Sequence, residues 1–261
     1  MDRWRPSLAA LLFVLPAVAR AEGNITLPLS GGFLLSPRLE TASLTPKTRE
    51  SARTAIAAAA QASRAASAAE NIIHAAMTAA GKAGKVRGYD RLDVPGADGT
   101  ACLYQGRIVQ SHATGLGVMH CRQQIFAGRF RDGRLNGLGG DTALNNADAY
   151  QGEYRNGARM GFGIERDKDG SYPGLYGFRA NAGGQKINME ILGLQNFKDA
   201  HWAGHYGVYG GPKIACTLIK GAVLEGSVLD GYGAKFDSGG HLIEQGFYKS
   251  GMLENGSGPP C

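Results

Sequence analysis

Tyr150-Gln151-Gly152-Glu153-Tyr154-Arg155-Asn156-Gly157-Ala158-Arg159-Met160-Gly161-Phe162-Gly163 holds one aromatic and four glycines at fixed intervals, and the same intervals return in Phe126, Gly128, Gly133, Gly137 and Gly139. Tyr104, Gly106, Gly115 and Gly117 repeat the spacing again, with Ser111 in the second glycine slot. Near the C-terminus Gly221, Gly226, Gly231 and Gly233, then Gly246, Gly251, Gly256 and Gly258, repeat it with one residue inserted. First glycines of adjacent units lie 22, 24 and 25 residues apart, a period of stacked units each too small to bury a core alone.

Within a unit, aromatic residues on alternate positions (Tyr150, Tyr154; Phe126, Phe130) precede Asn156-Gly157 or Asp132-Gly133. These dipeptides supply the positive φ angles of a tight turn, so each unit reads as a β-hairpin. Glycines on one strand face leave room for a neighbouring ring or backbone. The shared spacing places Tyr104, Phe126 and Tyr150 on one face, where equivalent rings are expected to stack.

The Tyr150–Gly163 segment resembles a MORN repeat, the unit written Y-x-G-x-x-x-x-G-x-x-x-G-x-G. Phe126 to Gly139 matches with Phe for Tyr, and Tyr104 to Gly117 matches except at Ser111. The C-terminal pair has Ile219 and Glu244 at the leading position, and residues 172–211 keep only Tyr172-Pro173-Gly174 and Trp202-Ala203-Gly204. The resemblance implies a mainly β, solenoid-like array of antiparallel hairpins that serves as a scaffold, with phospholipid headgroups proposed as ligands in the family. Units are expected near 104–121, 126–145, 150–170, 172–211 (degenerate), 219–237 and 244–258, within a domain spanning 101–258.

The residues before the repeats divide into four. Residues 1–21 carry Arg3 and Arg5, an apolar run from Leu8 to Val18 and small residues around Ala21, the layout of a cleaved export signal. Residues 22–44 read as an extended leader and 85–100 as a linker, with Pro95-Gly96 and Asp98-Gly99. Residues 45–84 read as one long Ala-rich helix, Thr45 capping and Pro46 at its first position. Along it Ala52, Ala55, Ala59, Ala62, Ala66, Ala69, Ile73, Ala76 and Ala80 form a seam at heptad spacing. Coiled-coil pairing with itself or a partner helix is one reading of that seam; docking on the repeats is the other. The seam's apolar residues lack the bulk for membrane insertion.

Composition bounds the function further. The chain has 261 residues, 43% of them apolar, and 40 glycines, with a formal charge of +6. Positive and negative residues are interspersed, and export argues against a nucleic-acid partner. His201 and His205 share no plausible helix, the Gly-x-Gly pairs open none, and no serine has a nucleophile-elbow setting. No catalytic, metal or cofactor site is expected. Four cysteines in an exported chain allow three pairings. A hairpin turning about Ser111-His112 brings Cys102 opposite Cys121, which leaves Cys216 with Cys261; a free Cys261 or an interchain pairing is the alternative. The expected function is an exported, non-enzymatic scaffold, periplasmic or secreted, that binds protein in the cell envelope. An anionic lipid surface and a glycan-active accessory enzyme are the alternatives.

Overall fold

Asp132-Gly133 and Asn156-Gly157 both turn in the left-handed region, with φ of 49° and 76° in the first and 51° and 84° in the second. Two consecutive positive angles give a turn whose twist matches its flanking strands. The first hairpin does the same without glycine. Its tip is Gln110-Ser111, at φ 48° and 61°, and Val109 pairs with His112, so the turn sits one residue earlier than the Ser111-His112 tip expected from sequence.

In the computed structural model, which describes residues 39–96, 99–145, 148–180, 184, 186–208, 227–249 and 251–254, these hairpins join one antiparallel sheet. Its strands are β1 (Tyr89–Pro95), β2 (Ala101–Val109), β3 (His112–His120), β4 (Gln124–Arg131), β5 (Arg134–Ala143), β6 (Asp148–Arg155), β7 (Ala158–Asp167), β8 (Gly170–Ala180), β9 (Lys186–Phe197), β10 (Ala200–Val208), β11 (Ser227–Asp237), β12 (Leu242–Lys249) and β13 (Met252–Leu253). Spatial order follows chain order throughout. The turn glycines also link hairpins: Gly133 N donates to Ala113 O at 3.0 Å, Gly157 N to Leu135 O at 2.8 Å, and Gly251 N to Leu229 O at 2.8 Å. Residues 89–95, read as linker, instead form β1 and pair along β2 from Tyr89↔Arg107 to Pro95↔Ala101. The proline stands at the strand's end, where its missing N–H is tolerated.

Pro46–Ala80 form one helix, α1. Thr45 is its N-cap residue but makes no side-chain cap bond; its hydroxyl donates instead to the Thr48 hydroxyl at 2.9 Å. The helix touches every strand from β1 to β12. Its 35 residues at 1.5 Å each span roughly 50 Å, and the eleven intervals between those twelve strands, at about 4.8 Å each, span nearly the same. The heptad seam is therefore internal. Ala52, Ala55, Ala62, Ala69, Ile73 and Ala76 are sealed, Ala59 and Ala66 nearly so, and Ala80 is half-buried.

The seam's partners are the central row of the sheet. Ala52, Ala55 and Ala59 pack with Leu194, Ala203 and Ala234; Ala62 and Ala66 with Ile164; Ile73 and Ala76 with Val118, Ile125 and Ala127. Self-association through this seam is thereby corrected. The pairing face that small residues provide by close backbone approach is consumed by the protein's own strands. A heptad seam suits a sheet because its mean step of 3.5 residues, about 5 Å along the axis, approximates the strand separation of about 4.8 Å.

Candidate functional site

The repeat glycines form a continuous line across the sheet. Gly106, Gly117, Gly128, Gly139, Gly152, Gly163, Gly174, Gly193, Gly204, Gly233 and Gly246 stand opposite one another, one per strand from β2 to β12. They lie on the face away from α1, and side chains lie across the strip that they leave bare. Tyr104 covers Gly117 and Tyr150 covers Gly163, where an added Cβ would strike the ring. Leu135 takes the same role at Gly128 and Gly139, and Leu229 at Gly204 and Gly233.

Tyr104, Phe126 and Tyr150 lie on this one face, related through Tyr104↔Met119↔Phe126↔Asp141↔Tyr150. They do not stack on one another, because Met119 and Asp141 stand between them. Each leading tyrosine instead meets the second aromatic of the next hairpin: Tyr104 with Phe130, centroids 5.0 Å apart, and Tyr150 with Tyr176, 4.9 Å apart, both edge to face. Burial pushes both phenols upward, beyond the range in which they titrate in ordinary buffers.

The remaining glycines have separate duties. Gly115, Gly137 and Gly161 have φ of 90°, 106° and 97°, and the stems of Arg107, Arg129 and Glu153 respectively lie against them. Toward the C-terminus the grouping differs from the sequence spacing. Gly231 and Gly233 belong to β11, which pairs with β10 and with β12, so Gly233 answers Gly204 rather than closing the unit that the spacing opened at Gly221. Ile219, Gly221, Gly226, Gly256, Gly258, Cys216, Cys261 and residues 1–38 lie outside the described residues. Gly174, Gly193 and Gly204 are members of the line that the four-glycine spacing does not mark. The signal of Gly174 and Gly204 is present in Tyr172-x-Gly174-x-Tyr176 and Trp202-x-Gly204-x-Tyr206, which copy Tyr150-x-Gly152-x-Tyr154.

Cys102 and Cys121 are bridged across the base of the first hairpin. Two polar features on the aromatic face had no sequence signature. Arg159 makes a bidentate pair with Asp141, at 2.6 and 3.1 Å, and also reaches Asp148 at 3.0 Å and Glu165 at 2.5 Å, while lying 5.0 Å from the Tyr150 ring centroid. Tyr154 donates its hydroxyl proton to Asp141. Burial raises the Glu165 carboxyl above its usual range against the pull of Arg159. In the fourth hairpin the Glu190 carboxyl, not a tyrosine, lies over Gly174 and Gly193. Tyr172 turns away to donate to Asp167 at about 3 Å, and burial holds the Glu190 carboxyl well above its ordinary range.

The hairpin tips present a different chemistry. Arg107, Arg129, Arg131, Arg134, Arg155 and Arg179 are exposed on that half of the sheet, and none makes an ion pair among the described residues. The opposite edge, where hairpins join, mixes signs: Asp167, Lys168, Asp169, Lys198 and Asp199 are all exposed. His201 and His205 sit on β10 with separate partners, Asn196 at 3.0 Å and Ser51 at 3.4 Å. The arrangement thus offers an edge of unpaired guanidinium groups on the sheet, with Tyr104, Tyr150, Tyr176 and Tyr206 committed to packing.

Comparison with known sequences agrees with this geometry. The family profile of the MORN repeat matches residues 126–139 and 150–172, which are β4 to the β5 glycines and β6 into β8. No curated protein matches the chain significantly. MORN repeats are generally protein- or membrane-interaction modules. Residues 126–139 and 150–172 are therefore MORN repeats, set within the longer line of hairpins.

Proposed function

We propose that this is an exported, non-enzymatic scaffold of the cell envelope that binds an acidic protein surface along its hairpin-tip edge. The observation that carries the reading is the set of exposed, unpaired arginines on that edge. A guanidinium group presents a planar fork that matches a carboxylate in two parallel hydrogen bonds. Export is supported by the signal-like residues 1–21 and by the Cys102–Cys121 bridge, since disulfides persist in oxidising compartments.

A protein partner suits the edge better than a lipid surface does. Asp132, at the outermost point of the second hairpin, is exposed beside Arg131 and Arg134, and it would meet a continuous anionic bilayer with like charge, whereas discrete carboxylates on a protein can meet the arginines and leave Asp132 uncovered. Among the described residues no helix is long and apolar enough to cross a membrane. The test is capture from envelope extract by wild type and by an Arg107→Glu, Arg129→Glu, Arg131→Glu variant, with flotation on phosphatidylglycerol vesicles in parallel. A partner recovered by wild type, lost with the variant and weakened by salt supports the reading. Recovery indifferent to the three arginines, or flotation without protein capture, overturns it.

A further inference from the structure

We propose that the arginine edge accepts an acidic α-helix of the partner protein, laid across the hairpins alongside α1, with carboxylates recurring every seven residues. This rests on the scaffold reading above and names the shape of its partner.

Two repeat lengths decide that shape. One hairpin advances the sheet by two strands, about 9.6 Å, and one heptad advances a helix by about 10.5 Å. The difference, about 1 Å per hairpin, is small against the reach of an arginine side chain. An extended strand repeats its same-face side chains every 6.6–6.8 Å or so and falls out of step at the second hairpin. The protein itself demonstrates the match. Ala59 packs with Leu194 of β9, Ala66 with Ile164 of β7, and Ile73 over Gly140 of β5, so each seven-residue step along α1 crosses one hairpin.

The arginines follow the same interval. Arg107 and Arg129 come directly after the paired glycines Gly106 and Gly128, at the register shift of each strand, and each stands between two residues of the aromatic face, Gly106 and Ile108 or Gly128 and Phe130, which leaves it the α1 side. Their stems are held: a Cβ at Gly115 would stand 3.1 Å from Arg107 Cδ, and one at Gly137 would stand 3.6 Å from Arg129 Cδ. Arg131 and Arg155 are a second equivalent pair, three residues after Gly128 and Gly152. The positive charges therefore advance by hairpins, in parallel with α1. A helix carrying one carboxylate per heptad meets them in register, whereas a disordered acidic segment gains charge without register.

The experiment uses the full exported chain and two synthetic helical peptides of identical composition, one with glutamates recurring every seven residues and one with them every five. Helicity of each peptide is checked by circular dichroism and binding is read by fluorescence anisotropy at moderate salt. The expected result is affinity about tenfold or more in favour of the seven-residue spacing, equivalent to about 1.4 kcal/mol. Arg129→Glu and Arg155→Glu should each weaken it, and Lys168→Glu on the other edge should not. Thermal melts confirm that the variants, all at exposed positions, remain folded. Equal binding of both peptides, no binding, or insensitivity to Arg129→Glu would overturn the helix proposal. Equal binding that is still lost with the arginine variants would leave the acidic-surface reading standing and remove the helical register alone.

Discussion

Ile73 lies directly over Gly140: a Cβ added to that glycine would stand 2.8 Å from Ile73 Cδ1 and 2.8 Å from the Tyr150 carbonyl oxygen. The one large residue in a seam of alanines thus faces a strand position without a side chain, and the helix keeps its close approach. Ile73→Ala should cost about 2–4 kcal/mol by leaving a cavity, and Gly140→Ala about 1–3 kcal/mol by overpacking. Because the two share one space, the double variant should cost less than the sum by at least about 0.5 kcal/mol. Urea denaturation of all four proteins measures the cycle; strict additivity would show that the contact is incidental.

Ala66 is 1% exposed while its neighbour Ser67 faces solvent. Ala66→Glu places an unpaired charge between helix and sheet and should destabilise by more than about 3 kcal/mol. Ser67→Glu should stay within about 0.5 kcal/mol of wild type. Thermal melts separate the two. A folded Ala66→Glu protein with altered mass by light scattering would restore the seam to the role of an intermolecular interface.

Ser111 holds φ at 61°, in the region where an L side chain costs about 1–2 kcal/mol. The second and third hairpins have glycine at this place. Ser111→Gly should raise stability by up to about 1 kcal/mol, partly offset by the greater freedom of glycine in the unfolded chain. A lowered melting temperature would mean that the serine makes a compensating contribution at the tip.

Glu190 should make the protein less stable as pH rises. Its folded-state pKa is raised well above 4.5 by burial, with the Gln195 side chain offsetting part of that rise and the charge of Glu165 adding to it. The unfolded chain therefore releases the proton first, so the contribution is fully present below about pH 4.5, falls as pH increases, and is lost once pH passes the folded value. Glu165 is raised in the same direction, so the Glu190 share must be isolated by substitution. Glu190→Gln should flatten the decline in stability between pH 5 and pH 8, whose limiting slope for one proton is about 1.4 kcal/mol per pH unit. Tyr176 and Tyr206, both buried beside this carboxyl, stay neutral through that range. An unchanged pH profile would show that Glu190 is ionised or solvated in the folded state.

Much of the hairpin architecture was legible because its causes are local. Asp132-Gly133 and Asn156-Gly157 specify their turns through the φ angles that Asp, Asn and Gly tolerate. Cys102 meets Cys121 although the turn sits at Gln110-Ser111, because a register shift between Gly106 and Ile108 restores the pairing that a Ser111-His112 tip would have given. The C-terminal grouping departs from the sequence spacing for the complementary reason. Gly231 and Gly233 align in sequence with Gly221 and Gly226, yet strand pairing joins Gly233 to Gly204 and Gly246, a choice made by partners distant in the chain.

The repeat glycines, the turn chemistry and the Ala-rich helix were determined by the sequence itself, through backbone freedom, propensity and spacing that each act over a few residues. Only the tertiary structure decided what the seam touches. Heptad spacing satisfies a partner helix and a row of strands almost equally, since a mean step of about 5 Å fits both, and the choice fell to the sheet because its central row offers Gly140, Ala127, Ala203 and Ala234 within reach on the same chain. The candidate site was settled in the same way. Arg107, Arg129, Arg131 and Arg155 are scattered among acids in sequence, and Arg159 resembles them there. Folding pairs Arg159 with Asp141, Asp148 and Glu165 and leaves the other four unpaired on one exposed edge, because the register of the strands, which only long-range pairing fixes, determines which charges meet.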